Sequence, residues 1–323
     1  MVDGLTLRRQ EFADDYVFES SPGLKPAKLS HAASAFLPGL QMTLRQPVHC
    51  SGIGLHSGQL VNLTLKPAAP DAGIRFVRTD LSPAEAEISG RWDNVTDTTL
   101  CTAISNASGA RVATIEHLMA ALVATGVDNA VIELDAAEPP AMDGSSDPFI
   151  LLIEQAGTVT QSQRRSFLRM LKPVTVTEGE KSAALLPGDG YCVDVSIDFK
   201  SPAIGHQRIA ARLSGMRFKR DFARARTFGF AHEVAYLKSK GLAQGGSLDN
   251  AVVIQDDNVI NPGGLRFSDE FVRHKALDAV GDLFLAGGPF LGAYVGNQAG
   301  HKLNNMLLRA VMSDPASYEW ARA

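Results

Sequence analysis

Residues 114–126, TIEHLMAALVATG, are apolar on nearly every face that a helix would present. A helix of that kind is buried on all sides, so it constrains the interior of whatever the chain builds. Thr114 is placed to cap it and Gly126 to end it. Yet Glu116 and His117 stand side by side in its first turn. A buried carboxylate is costly unless a cation or several donors meet it. The positive helix end offsets only about 1 kcal/mol of that cost. Either the pair simply emerges at the helix mouth, or something else in the fold comes to meet it.

A second helix is expected over residues 271–285, FVRHKALDAVGDLFL, with Ser268 as N-cap, Asp269 and Glu270 at its positive end, and Gly287–Gly288 stopping it. Val272, Ala276, Leu277, Val280, Leu283 and Phe284 share one broad face. Glu270, His274, Asp278 and Asp282 recur every four residues on the other. His274 and Asp278 are then about 6 Å apart along the axis and can grip one ion from the same side. The competing reading is a solvated stripe of polar residues.

A length of 323 residues accommodates two domains, each with its own core. The net charge of −4 argues against a nucleic-acid partner, which calls for a basic stripe. Three scattered cysteines, Cys50, Cys101 and Cys192, suit neither a disulfide framework nor a thiolate zinc site, and fit a reducing cytoplasm. The opening MVDGLTLRRQEFADDY has acids where a signal peptide needs an apolar core, and no apolar run approaches the 18 or so residues of a membrane span. No obligate protein partner is evident.

Residues 1–40 show no sustained period and read as an extension or linker, with a helix-like patch at 29–36. From Met42 the pattern is strand-like, and Val61, Leu63 and Leu65 alternate with polar neighbours. His56 sits in a glycine-rich loop where backbone can approach a ligand closely. LCTAIS is expected as a strand carrying Cys101, and FILLIEQAG as a helix. The polar run 161–165 divides two halves of similar order, giving a first α+β domain at 41–163 and a second at 164–323. In the second, FLRML, VTVTE, SAALLP, YCVDVSIDF and GAYVG read as strands, VAYLKSKGL and NMLLRAVM as helices. RARTFGF, at 224–230, brings Arg224, Arg226, Thr227, Phe228 and Phe230 together, either as a packed turn or for a ligand with phosphate and apolar parts. His301 follows Gly300 in an expected loop.

Two histidines and an aspartate complete a catalytic zinc set with the fourth position left for water. His117 from the first half, with His274 and Asp278 from the second, would put the metal between the domains, a frequent place for ligand pockets. Glu116, beside a ligand, can take a proton from water, and His301 can act as general acid with Asp282 orienting it. Thr227 can donate to an oxyanion and Lys275 can hold substrate. H-E-x-x-H, G-x-S-x-G and G-x-x-x-x-G-K-[ST] are all missing, which removes the commonest competing hydrolase readings.

GIGLHSG, TIEHLMAAL, MDGS, RARTFGF, LRFSDEFVRHKALDAVGDL and GHKLNN, in that order, resemble the UDP-3-O-acyl-N-acetylglucosamine deacetylases, zinc amidases of lipid A synthesis in Gram-negative bacteria. The resemblance runs from Met42 to the C-terminus. It implies an α+β fold of two domains of similar topology, each a sheet packed on helices, the helices sandwiched between the two sheets. It implies His117, His274 and Asp278 as ligands of Zn2+, a set that also accepts Fe2+. Glu116 is implied as general base, His301 as general acid beside Asp282, Thr227 as oxyanion donor and Lys275 as a substrate contact. Residues 227–251 would form an acyl-chain-binding insert, including Phe228, Phe230 and Ser247. Phe199 and Lys172 resemble nucleotide contacts, the local spacing at Lys172 shifting by one. Gln298 stands where some members carry a lysine near the diphosphate, and residues 1–40 lie outside the pattern. The implied reaction removes the N-acetyl group from UDP-3-O-((R)-3-hydroxyacyl)-N-acetylglucosamine, releasing acetate. Two rivals remain: a zinc amidase for another acylated amino sugar, and a non-catalytic acyl-lipid binding protein with a structural metal.

Overall fold

The computed structural model describes residues 5–9, 16–20 and 39–322; the patch at 29–36 lies outside the described residues. Strands Leu5–Arg9 and Tyr16–Ser20 pair antiparallel, so the extension carries a hairpin that its composition does not announce.

The first half is built on a five-stranded sheet in the order Val48–Ile53, Leu60–Pro67, Ala130–Leu134, Ile74–Arg78, Glu87–Ser89. Alternation decides its faces: Val61, Leu63 and Leu65 are fully buried while Leu60 and Asn62 are exposed. Two helices belong to this half, α1 (Glu116–Thr125) and α2 (Asp147–Ala156). The second half is built on a seven-stranded sheet, along which Val174–Glu178, Lys181–Leu186, Phe290–Asn297, Ser166–Met170 and Tyr318–Arg322 follow one another. Tyr191–Asp198 joins Phe290–Asn297 in parallel and carries His206–Leu213 antiparallel. Its helices are α3 (Gly215–Asp221), α4 (Ala231–Ser239), α5 (Glu270–Phe284) and α6 (His301–Met312). Among the described residues the fold is α+β, its two largest sheets carrying helices packed on them, with smaller sheets beside them. Buried side chains of both halves join in one continuous apolar core. Among the described residues no helix is long and apolar enough to cross a membrane.

The apolar-all-round helix is buried from Glu116 through Ala124, as its composition requires, and Gly126 ends it at φ 77°. It packs against α5, and Gly281 of α5 makes the approach possible. A Cβ at that position would stand 2.0 Å from the Glu116 carbonyl oxygen. The helix crossing therefore brings the backbone of one functional segment onto the side of the other.

Several local expectations need correction. Thr114 does not cap α1: it lies at φ 54° and its hydroxyl donates to Glu138 Oε2 at 3.2 Å. Ser268 does not cap α5, whose N-cap is Asp269 without a side-chain capping bond. Cys101 precedes the strand, which spans only Ala103–Ser105. The polar run near 161–165 is largely strand, since Thr158–Arg164 pairs with Leu40–Leu44 in a two-stranded ribbon that needs little apolar surface. His301 is the first residue of α6, with Gly300 as N-cap, and not a loop residue. Helix α3 and the last strand, Tyr318–Arg322, were not expected. α3 buries only Phe218, so it carries no readable period.

Candidate metal centre

The crossing of α1 and α5 brings His117, His274 and Asp278 together, all buried, with their donor atoms within 4.8 Å of one another. Asp278 Oδ1 is 3.4 Å from His117 Nε2 and 3.3 Å from His274 Nε2. A tetrahedral ion with bonds of about 2.0–2.1 Å has edges of about 3.3–3.4 Å. His274 Nδ1 lies 3.0 Å from the Ala225 carbonyl oxygen. A carbonyl only accepts, so Nδ1 carries the proton and Nε2 offers a lone pair.

Burial pulls the His274 imidazole down to about 3, although Asp278 opposes this, so the ring is neutral near pH 7. For Asp278, burial favours the acid, but His274 and Lys275 outweigh it and hold the carboxyl well below the usual range. Asp278 Oδ1 is buried without a hydrogen-bond partner, while Oδ2 accepts from Lys275 Nζ at 2.8 Å. A lone pair on nitrogen thus faces one on oxygen, which is repulsive unless a cation lies between them. The donor set fits a divalent metal of borderline softness such as zinc. Among the described residues, no further His, Cys, Asp or Glu completes a four-membered set.

Glu116, Asp282 and His301 form a second buried cluster on the same helices and the start of α6. Asp282 Oδ2 accepts from His301 Nδ1 at 2.9 Å and from Asn304 Nδ2 at 2.8 Å, and Asn304 in turn accepts from the Tyr294 hydroxyl. His301 Nε2 points toward Glu116 Oε1, 3.9 Å away. Burial would lower the His301 pKa, but Asp282 and then Glu116 outweigh it and lift it to about 9. The ring is therefore a cation at neutral pH, with a proton to give from Nε2. Burial raises the Glu116 carboxyl, His301 and His117 pulling it partly back, which moves it toward the range of a working general base. The two clusters together offer three donors able to hold a metal ion, a buried carboxylate and an imidazolium.

Of the other expected residues, Phe228 and Lys275 border this centre directly. Phe228 lies 6.2 Å from the His274 ring, 4.9 Å from Phe271 and 5.7 Å from Phe199, with Lys275 Nζ 5.5 Å over its face. Phe230 continues the cluster at 6.1 Å from Phe199. Thr227 is pinned between Gly144 and Val252 by its backbone, two residues after the Ala225 carbonyl that holds His274. A cavity of about 330 Å³ beside His301 is lined by Phe199, Lys275, Gln298, Lys181 and Lys302, among others. His56 links two loops: its backbone N–H reaches Glu138, and its Nδ1 accepts from the Ala243 N–H at 3.4 Å. Ser247 is exposed in the loop that Asn250 organises.

Lys172 is not brought to this centre. Its ammonium pairs with Asp314 at 2.8 Å, beyond the far end of α6, and it does not line the cavity. Arg226 is likewise unavailable to phosphate, because its guanidinium and backbone N–H hold the fully buried Glu270. Thr102, Asn304, the Ala225 carbonyl and Gly281 were missed. An isolated glycine inside a helical repeat is a readable sign of close packing, so Gly281 could have been found; the others leave no sign in sequence.

The sequence model of the family described as UDP-3-O-acyl N-acetylglycosamine deacetylase matches residues 41–313. Among curated proteins, the chain is similar to the UDP-3-O-acyl-N-acetylglucosamine deacetylase of Photobacterium profundum, 48% identical over 283 residues, covering 87% of this chain and 93% of the relative. The enzyme of the same name from Shewanella halifaxensis is 48% identical over 281 residues, 86% of this chain and 92% of the relative. That from Xanthomonas campestris is 47% identical over 282 residues, with 87% and 92% covered.

Proposed function

The chain belongs to the UDP-3-O-acyl N-acetylglycosamine deacetylase family, a family of metalloenzymes, and from that premise we propose that it hydrolyses the N-acetyl group of UDP-3-O-((R)-3-hydroxyacyl)-N-acetylglucosamine in lipid A biosynthesis. The observation that carries the reading is the buried Asp278 Oδ1 set 3.4 Å and 3.3 Å from the Nε2 atoms of His117 and His274, with Glu116 and His301 beside it. His117, His274 and Asp278 would hold the ion, zinc or alternatively iron(II). Bound there, the metal supplies Lewis acidity at the acetamide carbonyl and lowers the pKa of water.

The protein's own groups do the rest. Glu116 takes the proton from the attacking water, and the Thr227 hydroxyl donates to the oxygen that gains negative charge. His301 gives its Nε2 proton to the departing sugar amine, while Asp282 fixes the ring and holds it cationic. Lys275, tied to Asp278 and lying over Phe228, contacts the sugar. Phe199 bounds the nucleotide side, Phe228, Phe230 and Ser247 bound the acyl passage formed by the insert at 227–251, and His56 contacts substrate from its glycine-rich loop. We assign residues 41–163 and 164–323 to the two domains and place the enzyme in the cytoplasm, consistent with its three free cysteines and with the lack of a membrane-crossing helix among the described residues.

Metal analysis of the purified protein beside an acetate-release assay on the UDP-acyl-glucosamine tests this. Activity lost on chelation and restored by Zn2+ is expected. Acetate release that survives complete metal removal, or no release from this substrate by the metal-loaded protein, would refute it.

A further inference from the structure

Thr102 lies between the two carboxylates that frame His301 and is only 1% exposed. Its hydroxyl donates to Asp282 Oδ1 at 2.6 Å, and its backbone N–H donates to Glu116 Oε2 at 3.0 Å. One residue therefore fixes the proposed base and the partner of the proposed acid, on opposite sides of the same imidazole. The Thr102 carbonyl also accepts the Ile115 N–H at 3.4 Å, which ties this junction to the start of α1.

We propose that Thr102 is a positioning residue that couples Glu116 to the Asp282–His301 pair and sets how readily His301 releases its proton. The proposal rests on the deacetylase reading of this site. Asp282 has three side-chain donors around it: Thr102 on Oδ1, His301 and Asn304 on Oδ2. The hydroxyl turns its positive end toward the carboxylate, so it weakens the field that Asp282 exerts on His301. With the hydroxyl gone, Asp282 holds the imidazolium more tightly and His301 becomes a poorer acid. The other titratable groups facing this junction are Glu116 and His117 from α1, Asp278 and Lys275 from α5, Tyr294 through Asn304, and Cys101 beside Thr102 itself.

Thr102→Val keeps the shape and the backbone N–H to Glu116 while deleting the donor to Asp282. In the metal-loaded enzyme it is expected to lower kcat about 10-fold, the scale on which partners of catalytic groups act, with KM and metal content unchanged. The alkaline limb of the kcat/KM profile moves to higher pH. Thr102→Ser restores the hydroxyl and is expected to restore both. The His301 imidazole titration, followed by nitrogen NMR without substrate, should show its midpoint raised in Thr102→Val and returned in Thr102→Ser. That measurement needs no turnover, so a failure of the deacetylase reading leaves it standing as a test of this coupling. An unshifted NMR midpoint with unchanged kcat in Thr102→Val overturns the proposal. So does a Thr102→Ser variant as impaired as Thr102→Val, which would make the methyl group's packing the relevant contribution; Thr102→Ser keeps the test decisive even if the valine variant folds poorly.

Discussion

Gly281→Ala is the smallest perturbation that should disturb the whole centre. The added Cβ would lie 2.0 Å from the Glu116 carbonyl oxygen, 2.8 Å from its carbonyl carbon and 3.1 Å from its Cα. Carbon and carbonyl oxygen in close non-bonded contact sit about 3.3 Å apart or more, so α1 and α5 must separate locally by roughly 1.3 Å. Neither partner is a flexible side-chain end that could rotate aside. Overpacking of a close-packed interior costs about 1–3 kcal/mol, and a backbone-to-backbone contact belongs at the upper end of that range. At roughly 1.5 °C per kcal/mol for a chain of 323 residues, the melting temperature should fall by about 4–5 °C.

The functional loss should be larger than the stability loss suggests. His117 follows the residue that is struck, whereas His274 and Asp278 lie on the helix that strikes it. Metal–ligand distances tolerate about 0.2 Å, and a misplacement of about 1 Å costs on the order of 100-fold in rate. Melting curves, metal content after dialysis and kcat on the deacetylase substrate give the readout. An alanine variant with wild-type melting temperature, full metal content and full activity would refute the claim that this helix crossing sets the site.

His301→Ala should keep its metal and lose roughly 100-fold or more in turnover; in the native enzyme kcat/KM should fall as pH rises through about 9, the value to which Asp282 and Glu116 lift His301 against the effect of burial. Because that folded pKa lies above the ordinary 6.5, its contribution to stability is fully present below pH 6.5 and is lost as pH rises through about 9, which denaturant titrations at several pH values would detect. Arg226→Met strands the fully buried Glu270 carboxylate and should cost about 3–5 kcal/mol in chemical denaturation, the scale for breaking a buried pair; a loss under about 1 kcal/mol would mean the pair behaves like an exposed one.

How much was legible in the chain itself varied with the range of the interaction. The apolar ring of α1 required a buried helix because nothing else shields that many apolar faces, and the four-residue spacing of His274, Asp278 and Asp282 put them on one side of α5 because helix geometry is local. Ordered motifs then named the family, and with it the chemistry. Capping was misread at Thr114 and Ser268, since a hydroxyl that can close a helix start can equally serve a distant carboxylate such as Glu138. The resemblance sets Lys172 against the nucleotide, and RARTFGF leaves Arg226 open to a packed turn or to phosphate; partners far along the chain, Asp314 and Glu270, pair with their charges.

What the linear chain determined by itself was the set of groups suited to the proposed reaction and the two helices that present most of them. Their convergence was decided only in three dimensions. It depends on Gly281 admitting the Glu116 backbone, on the Ala225 carbonyl choosing the His274 tautomer, and on Thr102 and Asn304 holding Asp282. Each of these is a contact between segments separated by many residues, so its energy appears only after both sheets have packed their helices into one core.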